Sequence, residues 1–292
     1  MSKLRPSRHR QRGFTIMEAI VVIVITGIVG TFVTVFIQLP VRAYLNASAR
    51  ADATDMADNT MRRLTRDLRL ALPNSLRVDA SHRYIEYIET KAGLRYLAED
   101  DIDTPGSGFY LSWNTATLKF TVVGGVPGGR HAPVPGDSIV VYNLGQDQEP
   151  GNAYNCTTLC NRAEIGSIDN SAGTFTLTSN PFAAQQSAGV ALMSPGKRFQ
   201  VVSGPVTYGC DTVSKRLIRY AGYAYAKDQP VPPSGPGLKQ AILAENVPSC
   251  DFSYATLASQ RSGVVGISLT FTPKDASNDI RLLHQIHVDN TP

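Results

Sequence analysis

Glu18 is the only charged residue in the apolar run Phe14 to Ile37, and a carboxylate in that setting asks for a partner. Held in lipid while ionised, such a group costs roughly a few kcal/mol or more, so a cation must be brought to it. Other chemistry-bearing residues are sparse. Cys156, Cys160, Cys210 and Cys250 can form two disulfides. His284 and His287 stand three apart, which on a strand sends them to opposite faces and makes them poor joint metal ligands. There is no G-x-S-x-G elbow, and Ser194-Pro195-Gly196-Lys197-Arg198 lacks the upstream glycine and the following Ser or Thr of a phosphate loop. No catalytic site is expected.

The element that must carry Glu18 is a long helix. Phe14 to Ile37 as a helix measures about 36 Å, enough to cross a bilayer core with some tilt. Lys3, Arg5, Arg8, Arg10 and Arg12 precede it without an acid, whereas Asp52 and Asp55 offset Arg42 and Arg50 beyond it. That asymmetry places the amino end in the cytoplasm and the rest of the chain across the membrane. The apolar core is too long for an ordinary secretory signal, although Val41-Arg42-Ala43 offers an alternative signal-cleavage site.

A basic leader ending at Gly13, then Phe14, then Glu18 as the fifth residue after that glycine, resembles a type IV prepilin. The resemblance implies that a prepilin peptidase cuts between Gly13 and Phe14 and methylates the new amino group of Phe14. It also supplies the missing cation: the freed amine of one subunit pairs with Glu18 of its neighbour. A desolvated ion pair of this kind is tolerable only when both partners arrive together. One departure from the family is Val35, which stands where many pilins have proline; the nearest proline here is Pro40.

Helical periodicity continues beyond the apolar run. Tyr44, Ala47, Ala51, Thr54, Ala57, Met61, Leu64, Leu68 and Leu72 recur at spacings of three or four, a stripe that needs a surface to pack on. Pro73 ends the pattern, and Pro40 is expected to kink the helix at the membrane boundary. The expected organisation is α+β: leader 1–13, transmembrane and filament-core helix 14–39, amphipathic stalk helix 40–72, and a β-rich globular head 73–292 on which the helix packs. Candidate strands are Arg83 to Glu89, Thr117 to Val123, Ser138 to Tyr142, Thr174 to Leu177, Leu217 to Tyr223, Val264 to Phe271 and Arg281 to Val288. Gly124 to Gly136 and Asp228 to Gly237 read as surface loops, and no second helix of comparable length is expected.

The chain has 28 bases, five of them before Gly13, against 24 acids, so the part after the leader is nearly neutral and nucleic-acid binding has no compositional support. Four cysteines allow three connectivities; Cys156 with Cys160 and Cys210 with Cys250 is the expected pairing, the first within a tight turn and the second around a loop-rich stretch. A zinc site would need a second matching pair or a histidine cluster, and neither is present. Asp101-Ile102-Asp103-Thr104-Pro105-Gly106 opens like a calcium loop but has Pro105 and Ser112 at positions where that loop does not. A solvated acidic turn of Glu99, Asp100, Asp101 and Asp103 is expected instead, with calcium as the alternative. Tyr220, Tyr223 and Tyr225 have mixed strand parity and are expected to split between core and surface.

Three further segments narrow the resemblance: Arg63-Leu64-Thr65-Arg66-Asp67-Leu68-Arg69, Ala244-Glu245-Asn246-Val247 with Cys250-Asp251-Phe252, and Leu282 to Pro292. They are similar to minor pilins of the MSHA (mannose-sensitive hemagglutinin) type, the MshO family. Implied partners are a prepilin peptidase, other major and minor pilins, the inner-membrane assembly platform and the membrane, with no cofactor and no metal. The implied location is the inner membrane, as a single pass with a periplasmic head, and then the extracellular pilus. A minor pseudopilin of type II secretion, similar to the J component, is the alternative.

Overall fold

The computed structural model describes residues 13–102, 108–129, 131–157, 159–256, 261–274 and 279–292. Helix α1, Ile16–Leu68, has 53 residues and runs without a break through Pro40. Proline there removes the donor for the Phe36 carbonyl and leaves the rest of the ladder in place. Leu68 is the last helical residue, short of the expected Leu72, because the next residues join the sheet: Ala71 bridges to Glu89 and the Leu72 amide donates to Ile88 at 2.8 Å.

Twelve strands follow: β1 Arg77–Val78, β2 Tyr84–Tyr96, β3 Lys119–Val123, β4 Ser138–Val140, β5 Arg162–Asp169, β6 Thr174–Leu177, β7 Arg198–Asp211, β8 Arg216–Ala221, β9 Lys239–Glu245, β10 Ser249–Thr256, β11 Ser262–Phe271 and β12 Ile280–Asp289. Each of the seven expected strands overlaps one of these, whereas β1, β5, β7, β9 and β10 were not expected. A short helix α2, Phe182–Ser187, is the only other α-helix among the described residues.

Strands β2 and β7 organise the head. Their antiparallel pairing runs from Tyr84↔Gly209 to Arg95↔Arg198, with register shifts around Thr90. Gly204 sits at this irregularity with φ +128°, a conformation that glycine adopts without a steric penalty. On one side of the shift, β1, β2, β7, β8 and β9 form a sheet. On the other, β2 pairs with β3, β3 with β6, β6 with β5, β5 with β4, and β4 with β7, which pairs back with β2. That circuit is a closed six-stranded barrel, and closure leaves it no free edge.

Two large cores result, with a smaller cluster of Leu72, Ile88, Val140, Ala153, Tyr154 and Val202 beside them. The barrel is filled by Tyr96, Phe120, Phe175 and Phe199 from its strands, with Trp113 from a loop and Phe182 from α2. Phe120, Phe175 and Phe199 meet edge to face with centroids 5.5–6.1 Å apart, so the interior is a packed core without a channel. The second core lies under α1, between the five-stranded part of the large sheet and a three-stranded sheet in the order β10-β11-β12.

Only the lower part of the expected helical stripe faces that second core. Ala57, Met61, Leu64 and Leu68 are buried there, while Tyr44, Ala47, Ala51 and Thr54 are exposed. The head faces Ala49, Asp52, Ala53 and Met56 instead, so Ala51 and Thr54 lie off its contact face, and Tyr44 and Ala47 lie beyond it. The tyrosines also differ from expectation: Tyr220 and Tyr223 are buried and Tyr225 is half-buried, with the Arg162 guanidinium 3.6 Å from its ring centre. Tyr223 and Tyr225 lie beyond the end of β8, so strand parity does not govern them.

Candidate functional site

The site begins at the first turn of α1. Thr15 is its N-cap, in extended conformation at φ −83° and ψ 149°, and its hydroxyl accepts the Glu18 amide at 3.3 Å. Glu18 is thus the third helical residue, in the turn where backbone N–H groups favour negative charge. Thr15 was not singled out from the sequence, although Thr-x-x-Glu ahead of an apolar run is the spacing of a helix start. Gly13 and Phe14 precede the cap, so a cut between them leaves an amine one residue before the N-cap. Among the described residues, no ion pair of the chain includes Glu18, whereas Asp58 and Asp67, toward the head end of α1, each have a cation.

From Ile16 to Leu45 the helix is exposed on all sides, and α1 is long and apolar enough to cross a membrane. The three threonines between Ile16 and Leu45 are compatible with lipid. Thr26, Thr31 and Thr34 each donate to the carbonyl four residues earlier, the latter two at 2.9 and 2.8 Å, so no hydroxyl is left to seek water.

At the other end, α1 is fastened to the head by charge as well as by packing. Buried Asp67 accepts the Tyr208 hydroxyl from β7, with Arg66 Nε at 3.4 Å and Arg63 and Arg219 Nε at 3.8 Å. Arg219 on β8 also donates to Glu89 on β2 at 3.0 Å. Burial pushes the Tyr208 hydroxyl pKa well up, as does donation to Asp67, so it remains a donor. Nearby, Arg77 grips Glu86 with two hydrogen bonds of 3.2 and 3.0 Å, both side chains at most 5% exposed. Burial raises the Glu86 pKa against the opposing pull of Arg77.

All three segments quoted for the narrower resemblance meet around α1 and its core. Leu64 and Leu68, Ala244 and Val247, Cys250 and Phe252, and Ile286 and Val288 share that cluster. Cys210 on β7 is bridged to Cys250 on β10, which links the two sheets covalently across it, with Cα atoms 6.2 Å apart. Cys156 is bridged to Cys160 in a loop beside the barrel, with Cα atoms 4.6 Å apart.

The acidic turn is occupied by bases. Lys197 Nζ lies 2.8 Å from Asp100 and 2.7 Å from Asp101, and Arg95 lies 3.1 Å from Asp101. The hydrogen bond from Lys197, with one from the Ala98 amide, lowers the Asp101 pKa. Asp103 lies outside the described residues. Among those described, no three His, Cys, Asp or Glu residues converge as metal ligands. His284 and His287 are both exposed on β12 with opposite strand parity.

Residues 8–34 match the family model for the prokaryotic N-terminal methylation motif, and the match contains Gly13, Phe14 and Glu18. The amino-terminal segment is type IV prepilin-like. Such a motif implies processing by a prepilin peptidase and assembly with pilin-type partners. It covers the amino-terminal segment of this chain and leaves the head unassigned. No curated protein and no solved structure matches the chain significantly.

Proposed function

We propose that the chain is a minor type IV pilin of the MSHA type, similar to MshO, that works in pilus assembly or initiation and so in surface attachment. Prepilin peptidase removes residues 1–13, Phe14 is N-methylated, and its charged amine pairs with Glu18 of a neighbouring subunit in the apolar interior. The amino end starts in the cytoplasm of a single-pass inner-membrane protein with a periplasmic head, which then leaves on the extracellular pilus by way of the assembly platform. Its chemistry is assembly, without catalysis of its own.

The observation that carries this reading is the matched motif with Glu18, paired with no cation among the described residues, in the first turn of a lipid-compatible helix. Mass spectrometry of the mature protein tests it. A chain beginning at N-methylated Phe14 is expected, and a mature terminus anywhere else overturns the reading.

The same motif also fits a type II secretion minor pseudopilin similar to the J component. Loss of surface pili on deletion, with secretion intact, favours the pilus; the reverse phenotype favours the pseudopilin.

A further inference from the structure

We propose that a charged stripe on the open face of α1 packs against the same stripe of a second copy, parallel to it and displaced along the helix axis by eleven residues. Ala57, Thr60, Met61, Leu64 and Leu68 turn one face of the helix into the head. On the opposite face Ala51, Asp55, Asp58, Arg62, Arg66 and Arg69 recur at spacings of three or four, and all six are exposed. At about 100° per residue they form one stripe along the stalk.

The stripe is sorted by sign, with the acids first and the arginines after them. Among the described residues, Asp55 and Arg69 belong to no ion pair. Asp58 has one carboxylate oxygen on Arg62 at 2.8 Å, and Arg66 touches Asp67 only through Nε, at 3.4 Å. One oxygen of Asp58 and the outer nitrogens of Arg66 therefore remain for a partner.

The spacing of these charges selects the offset. Two stripes packed level would set acids against acids and arginines against arginines. Offsets of four and seven residues each put one acid opposite an arginine, but they also bring Arg62 opposite Arg66 or Arg69. Like charges brought together are penalised, which disfavours both. An offset of eleven sets Asp55 against Arg66 and Asp58 against Arg69 and opposes no like charges. Eleven residues make about three turns and about 16.5 Å, so the stripe returns to the same face.

Antiparallel stripes would match in sign as well, yet two copies anchored in one membrane by the same apolar half run parallel. Exposed ion pairs add little affinity, so these charges fix the register while the apolar half supplies the contact area. At this offset Phe14 of one copy lies level with Ile25 of the other, so the amine that meets Glu18 belongs to a further copy. The inference rests on the reading that α1 assembles with other subunits, and adds what sets their spacing.

Two full-length chains with different tags test it, co-expressed with a prepilin peptidase and oxidised in the membrane. One carries Ala51→Cys and the other Arg62→Cys; the four native cysteines are already paired. The mixed dimer is expected in at least fivefold excess over either same-position dimer. Asp55→Arg in the Ala51→Cys chain, at an exposed site, is expected to lower it at least threefold, and Arg66→Asp in the other chain to restore it. Equal yields, an excess of a same-position dimer, or a mixed dimer indifferent to Asp55→Arg overturns the proposal. The mass of the same chains separates the two readings: a chain mature at Phe14 without the mixed dimer overturns this inference alone, and an unprocessed chain overturns the assembly reading with it.

Discussion

Tyr208, three residues from the end of β7, donates its hydroxyl to the carboxylate of Asp67, one residue before the end of α1. That contact joins the stalk to the longest strand of the head, and the same strand continues into the barrel. The helix end and the distant barrel are therefore parts of one framework.

Tyr208→Phe removes the donor and leaves buried Asp67 with longer contacts to arginine only. A hydrogen bond to a charged group contributes about 1.5–3 kcal/mol, so a loss of that order is expected in urea unfolding of the full chain followed by circular dichroism. A change within error would mean that the arginines alone hold the carboxylate.

Arg77 and Glu86 form a pair that is costly to break singly. Arg77→Met is expected to destabilise the head by about 3–5 kcal/mol, because Glu86 is left buried without its partner. Pairing it with Glu86→Leu should recover most of that loss. If the double variant is no more stable than the single one, the packing of Arg77 on Tyr154, with its guanidinium 3.7 Å from the ring centre, matters more than its charge.

The two disulfides should differ in effect. Cys210 and Cys250 are 40 residues apart and connect separate sheets, whereas Cys156 and Cys160 are 4 apart in one loop. Loop-closure entropy gives about 4 kcal/mol for the first and about 2 for the second. Replacing Cys210 and Cys250 by serine is therefore expected to lower the melting temperature more than the same change at Cys156 and Cys160.

Glu18→Val should leave membrane insertion intact or improved while sharply reducing incorporation into filaments, measured by fractionating sheared pili from cells. Gly13→Leu should retain the leader, visible as a heavier product on a gel. Normal incorporation of the valine variant would remove the pairing role from Glu18.

Acid should weaken the head through its turns. Asp211 is held below its ordinary value of 3.8 by the Ser214 hydroxyl, and Asp169 by that of Ser171. For Asp79, burial works the other way but is outweighed by hydrogen bonds from Ser81, Tyr84 and Arg83. A lowered folded pKa gives stability that is fully present above 3.8 and lost as the pH falls through the folded value. Urea midpoints should therefore fall between about pH 5 and about pH 3, and Asp211→Asn should flatten that decline.

Much of the head was illegible for identifiable reasons. Gly204-Pro205 interrupts β7 in the sequence and reads as a turn, yet in the fold it occupies the gap where β4 pairing ends at Val202 and β8 pairing begins at Val206. Lys239-Gln240-Ala241-Ile242-Leu243-Ala244-Glu245 has the composition of a helix and becomes β9 because β8 offers it a ladder. Thr15 was legible by spacing, whereas the face of α1 that the head leaves open was not, since the cover of the other face comes from strands far along the chain.

The sequence by itself determined the long helix, its apolar half and the Gly13-Phe14-Glu18 constellation, because hydropathy, helical period and motif spacing are local properties. Only the tertiary structure decided where the head stops covering α1, which strands close the barrel, and which cations meet Asp67 and Glu86. Those outcomes depend on pairings between residues far apart in the chain, and no local pattern encodes them.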